Sequence, residues 1–159
     1  MFVAAKECNV PFWDYVNRDQ EIVALVSDIY NNPVRDSTAV YFTCDEGVML
    51  AHLDLTKDET GLAESKWLSP GPGFIGADGD VWVYAETEGG TVRDSSYFIN
   101  SGIPDTLWFV LTGAEPFPTH INADGKAIRF FQVQVRDLNF NFVEDETEID
   151  FESDFLTVA

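Results

Sequence analysis

The sequence predicts an all-β protein, an antiparallel β-sandwich arranged in tandem units. Three observations carry this. Short runs alternate apolar and polar residues at a period of two, as half-buried strands do. Turn chemistry separates the runs at the roughly 8–12-residue spacing of sandwiches. The chain also copies itself. Residues 28–42 align without a gap on residues 137–151, at the constant offset that takes Asp28 to Asp137. Upstream, Pro11-Phe12, Val16-Asn17 and Asp19 recur as Pro116-Phe117, Ile121-Asn122 and Asp124, so about four residues are inserted around 129–132. The expected division is a complete unit over 1–105 and a partial one over 106–159, because Ala159 stands level with Leu50 of the first copy. Another chain, or further sequence, is expected to complete the second unit.

The expected strands follow in order: 2–5, 22–27, 38–44, 49–55, 62–68, 81–87 and 92–99 in the first unit, then 107–111, 127–136, 147–152 and 155–158 in the second. Asn31-Asn32-Pro33, Asp58-Glu59-Thr60-Gly61, Pro70-Gly71-Pro72-Gly73, Asp78-Gly79-Asp80, Glu88-Gly89-Gly90 and Asp124-Gly125 lie between them. These residue types accept positive φ or fix φ near −65°, as tight turns require. The repeat separates the two strand faces. Ile22, Ala24 and Val26 match Phe131, Val133 and Val135, while Val40 and Phe42 match Ile149 and Phe151, so these positions are apolar in both copies and should point inward. Val23, Leu25, Ala39 and Tyr41 are matched by Gln132, Gln134, Glu148 and Asp150. Those four outward apolar positions are expected to meet the N-terminal segment or another chain. The inward face of the partial unit, Phe131, Val133, Val135, Ile149 and Phe151, is expected to be covered by self-association or within a larger assembly.

Composition narrows the partners. With 45% hydrophobic and 14% aromatic residues in 159, the chain can bury a sizeable core. Its 28 acidic against nine basic side chains give a formal charge of −19, which repels phosphate backbones and anionic membrane surfaces. Nucleic acid is therefore not an expected partner. No apolar run approaches the roughly 18 residues of a membrane span, and the opening residues lack the pattern of a signal peptide. If the protein is exported, the signal lies outside this sequence or another route is used.

In order and spacing, Val26-Ser27-Asp28 with Asn32-Pro33-Val34, the strand 38–42, the turn 56–63, Val81-Trp82-Val83-Tyr84-Ala85 and the turn 121–126 resemble the bacterial immunoglobulin-like domains of the invasin and intimin type, group 1. The resemblance implies an immunoglobulin-like sandwich serving as a spacer or tip domain in surface adhesins and, in viruses of bacteria, as an addition to virion proteins. It brings no catalytic apparatus.

Chemical sites are sparse. His52 and His120 are isolated, and no phosphate loop, nucleophile elbow or zinc spacing occurs. Cys8 and Cys44 could form one disulfide, but their counterparts are Gly113 and Ser153, so the fold does not depend on a bridge. Asp58 with Glu59, Asp78 with Asp80, and Glu144 to Glu146 are the calcium candidates; none has a spaced Asp-x-Asp-x-Asp-Gly loop, and a solvated acidic surface is the preferred reading. Trp13, Trp67, Trp82 and Trp108 could supply a sugar-stacking platform, although strand aromatics are more often core. The sequence thus points to a non-enzymatic structural or interaction module of an extracellular assembly, on a cell surface or virion. An immunoglobulin-like repeat of a bacterial adhesin is the first expectation. A phage virion accessory or filament subunit completed by a neighbour comes second, and a carbohydrate-binding module third.

Overall fold

The computed structural model describes residues 1–72, 78–110 and 132–152. Among these residues nine strands build a sandwich: β1 (Phe2–Ala5), β2 (Asn9–Pro11), β3 (Asp19–Leu25), β4 (Ala39–Cys44), β5 (Val48–Met49), β6 (Leu53–Leu55), β7 (Leu62–Leu68), β8 (Asp80–Thr87) and β9 (Arg93–Ser101). One sheet has the order β1-β3-β7-β5 and the other β2-β9-β8-β4-β6. All pairings are antiparallel except β2 with β9, which run side by side in the same direction. A separate two-stranded sheet follows, formed by β10 (Thr106–Val110) and β11 (Gln132–Arg136).

The period of two puts the core where the sequence places it. Ile22, Ala24, Val26, Val40 and Phe42 are all buried, together with Val3, Val10, Met49, Ala63, Trp67, Val81, Val83, Ala85 and Phe98. Trp67 and Phe98 meet edge to face at 5.0 Å between ring centroids, joining the two sheets through two of the largest buried side chains. The Trp67 indole N–H donates to the Glu46 carbonyl at 2.6 Å, so the one polar atom of the ring has a partner inside the core. Gly47, at φ +84°, lies directly against that ring; a Cβ there would collide with Trp67 Nε1.

Four sequence expectations change. The single strand expected over 49–55 divides: β5 joins one sheet through β7 and β6 joins the other through β4, with Leu50 to His52 crossing between them. The strand over 22–27 starts earlier, at Asp19, and ends at Leu25. β2 was not foreseen, because three residues ending in proline carry too little alternation to be read. The strand expected over 147–152 is absent from the structure. Its counterpart β4 is held between β8 and β6, and no described residue fills those roles here, while Glu144, Asp145, Glu146, Glu148, Asp150 and Glu152 repel one another. The expected strand at 155–158 and the parts of 107–111 and 127–136 at Leu111 and 127–131 lie outside the described residues.

The repeat reappears as geometry. Asp28 Oδ1 accepts the N–H groups of Tyr30 and Asn32 at 2.8 and 2.9 Å, and Asp137 Oδ1 accepts those of Asn139 and Asn141 at 2.9 and 2.8 Å. The left-handed residues Asn31 and Ser37 recur as Phe140 and Glu146, the bridge Ser27 to Pro33 as Arg136 to Phe142, and the Thr38 hydroxyl bond to Arg35 as Thr147 to Glu144. Local sequence builds the same loop in two places.

Because Phe42 is sealed between the sheets and Tyr41 points out of them, Phe42→Ala should cost about 3–5 kcal/mol and Tyr41→Ala about 1 kcal/mol or less. Chemical denaturation measures both; equal losses would contradict the strand register.

Candidate interaction surfaces

Two surfaces stand out, the outer face of the five-stranded sheet and the end of the sandwich where β9 leaves it. On the face, alternation that sends Val81, Val83 and Ala85 inward sends Trp82 and Tyr84 outward, and register sets Trp82 opposite Tyr97. Their rings lie 5.3 Å apart, tilted by 49°. Tyr41 continues the patch opposite Leu53, and Leu55 follows opposite Ala39. Tyr41, Leu53, Leu55, Trp82, Tyr84 and Tyr97 all remain exposed. Asp80 accepts the Tyr97 hydroxyl at 2.7 Å at one end of the patch, and Glu86 stands opposite Arg93 in register at the other. Burial and the neighbouring Asp80 push the Tyr97 phenol up to about 12. Aromatic-rich, charge-poor patches of this kind suit protein contacts.

The end of the sandwich is a network of backbone and carboxylate groups. Glu46 is buried, and its Oε2 accepts the N–H groups of Asp78 and Gly79 at 3.1 and 3.3 Å. Burial pushes its carboxyl pKa up, and Oε1 has no hydrogen-bond partner among the described residues. The turn held in this way presents the Asp78 carbonyl to Asn141 Nδ2 at 2.5 Å. Asp137, also buried, accepts the Gly102 N–H at 2.7 Å, and Asn9 Nδ2 donates to the Phe142 carbonyl at 2.9 Å. Gly102 lies close to the side chains of Asp14 and Asp137: a Cβ there would stand 3.3 Å from Asp14 Oδ1 and at ordinary contact distance from Asp137. Trp13, Asp14, Ile103 and Leu138 help line a cleft of about 180 Å³ beside these bonds.

The candidates from sequence are dispersed. Val23 and Leu25 belong to β3, opposite Ala4 and Phe2 of the N-terminal strand, on the outer side of the four-stranded sheet. Ala39 and Tyr41 belong to β4 in the other sheet, so the two pairs point in opposite directions and cannot form one patch. Val23 and Ala39 are half-buried, and Leu25 and Tyr41 are each 38% exposed. Val133 and Val135 lie opposite Phe109 and Leu107, with Ile149 half-buried and Phe151 exposed; Phe131 lies outside the described residues. Leu107, Val135 and Ile149 help line an open groove of about 280 Å³.

Cys8 and Cys44 are both free, which corrects the possible disulfide. Cys44 sits on β4, whereas Cys8 precedes β2; β8 and β9 intervene, and at about 4.8 Å per strand the sulfurs are far out of bonding range. Burial first, and the charge of Asp45 next, raise the Cys44 thiol to about 11. Among the described residues no three His, Cys, Asp or Glu side chains converge as a metal site would need. Asp78 instead caps its own turn by accepting the Asp80 N–H, and Asp58 takes positive φ in a turn. His52 is exposed and His120 lies outside the described residues. Of the tryptophans, Trp67 is core, Trp13 is half-buried at the sandwich end, and Trp82 and Trp108 are exposed. The end network was missed from sequence because Glu46 and Gly102 belong to no motif; only the repeat of Asp28 and Asn32 at Asp137 and Asn141 signalled it.

The strand orders define the class: this is an immunoglobulin-like β-sandwich, with one sheet of four strands and one of five. Among solved structures, the chain is similar to the C-terminal 282-residue fragment of intimin in complex with the intimin-binding domain of the translocated intimin receptor, Tir, with a TM-score of 0.50 and 18% identity. The match covers 69% of this chain and 34% of that one, so this chain corresponds to about a third of the fragment. The sequence matches no family model and no curated protein. Among the described residues, no helix is long and apolar enough to cross a membrane.

Two predictions follow from the end network. The folded state raises the Glu46 pKa, so this group contributes most to stability when protonated, below the usual carboxyl value of 4.5, and less as pH rises through the folded pKa. Glu46→Gln should therefore raise the denaturation midpoint at pH 7, with the advantage shrinking as pH falls towards 4; an advantage independent of pH would refute the assignment. Asp137→Ala removes the acceptor for Gly102, Asn139 and Asn141. Hydrogen exchange at those three amides should quicken at least tenfold, while the amides of Ile22 and Phe42 keep their protection.

Proposed function

We propose that the chain is a non-enzymatic structural and interaction module of an extracellular assembly, an immunoglobulin-like repeat of the bacterial adhesin kind, in which residues 106–152 open a second unit of the same type. The observation that carries this reading is the second Asp-centred loop, which reproduces the hydrogen bonds of the first and is lodged against the end of the first sandwich. A two-fold copy of a loop is what serial units joined end to end require, and the fold shared with intimin supports the adhesin context. The intimin fragment binds a protein, the Tir domain, and a protein partner is the reading for this chain too. The outer aromatic face suits that better than a glycan: Trp82 and Tyr97 are tilted by 49° rather than laid out as a level shelf, and leucines adjoin them. The reading needs no cofactor.

The virion or filament reading has one observation in its favour. Leu107 and Phe151 retain 47% and 45% of their surface, which suits a unit completed by a neighbouring chain. Surface labelling tests the proposal. Antibodies against the chain should label intact source cells or particles; labelling only after lysis would overturn it. Sedimentation of the purified chain separates the variants, since a compact monomer with protected amides over 132–152 rules out completion by a neighbour.

A further inference from the structure

The loops 28–33 and 137–142 are one structure in two states. In both, the aspartate Oδ1 caps the two N–H groups that follow, the aspartate N–H donates to the carbonyl four residues on at 2.9 and 3.0 Å, and a left-handed residue, Asn31 or Phe140, closes the turn. They differ in where the remaining polar groups go. In the second loop Asp137 Oδ2 takes the Gly102 N–H, Asn141 Nδ2 reaches the Asp78 carbonyl, and the Phe142 carbonyl receives Asn9 Nδ2, so all three bonds cross to the end of the sandwich. In the first loop Asn32 Nδ2 turns back to Asp28 Oδ2 at 3.1 Å. Asp28 and Asn32, the equivalents of the buried Asp137 and Asn141, are exposed, and Ile29 and Tyr30 retain 88% and 76% of their surface. The groups that grip a neighbour in one loop grip each other in the other.

The position matches. Phe2 pairs with Leu25, so the first loop lies beside the start of β1; β9 ends against the start of β8, at the opposite end of the sandwich. The second loop sits on that far end. The first loop therefore occupies, on its own unit, the place from which the second loop reaches the unit before it.

We propose that residues 28–33 are a docking site for the β9 end of another immunoglobulin-like unit of this build, a second copy of residues 1–105 arriving end to end. The inference rests on the reading of residues 106–152 as a second unit. On docking, Asn32 Nδ2 leaves Asp28 for the carbonyl of the partner's Asp78, Asp28 Oδ2 takes the N–H of the partner's Gly102, and the Pro33 carbonyl receives the amide of the partner's Asn9. A full chain fills its own β9 end with the loop at 137–142 and offers only the docking loop; residues 1–105 offer both ends.

The test titrates the labelled full chain with unlabelled residues 1–105, whose core side chains all lie between Val3 and Phe98 and so form a self-contained fold. Saturable shifts should appear at the amides of Tyr30 and Asn32 and at the Asn32 side chain, with a Kd on the order of 1 mM, the range in which a short tether would hold the contact closed. Asn32→Ala leaves the backbone caps of Asp28 in place and should weaken binding at least tenfold. A second probe avoids truncation: Asp137→Ala frees the β9 end of the full chain, and end-to-end association should then appear and vanish again in the Asp137→Ala, Asn32→Ala double variant. Absence of loop shifts in both experiments overturns the proposal, as does association that Asn32→Ala does not affect. Either outcome leaves the extracellular-module reading intact, whereas labelling found only after lysis would sink that reading without touching this one.

Discussion

Trp67 is the side chain on which the rest of the molecule leans. Fully buried, it meets Phe98 across the sandwich and passes its indole N–H to the Glu46 carbonyl. That bond fixes the corner between β4 and β5, the corner aims the Glu46 carboxylate at Asp78 and Gly79, and the turn so held offers its carbonyl to Asn141. Core packing thus sets the geometry of the sandwich end. The buried carboxylate is costly for an isolated domain, and the cost falls at the point where the following chain attaches.

Much of the fold was legible because a sandwich writes itself in alternation. Ile22, Ala24, Val26, Val40 and Phe42 showed their direction through period two and through the second copy, and the strand over 62–68 was read with its bounds correct. What escaped depended on partners distant in sequence. Residues 49–55 look like one strand, but two sheets compete for them, and nothing local marks the crossing at Leu50 to His52. Residues 147–152 alternate like β4 yet lack β4's neighbours, which shows that strand pattern without pairing does not make a strand. The surfaces were harder still. Val23 and Tyr41 share an outward pattern, but only the sheet assignment reveals that they face opposite ways, and Glu46 had no motif to announce it.

On the proposed reading the two surfaces would divide the work: the aromatic face lies on a flank, where a partner would approach without disturbing a line of units, whereas the two loops would act along that line. A strongly acidic chain keeps unrelated anionic surfaces away, and the flank patch offers aromatic and leucine side chains to a partner instead.

The parallel pairing of β2 with β9 has a mechanical consequence. Tension applied between the two ends of the sandwich pulls β2 towards its start and β9 towards its finish, so the strands are drawn past each other along their length. The bonds over Asn9, Val10 and Pro11 then share the load at once instead of parting one by one as in a peeled hairpin. A unit strung in a series under flow would resist extension through this short clasp, holding its core closed until all of the bonds fail together.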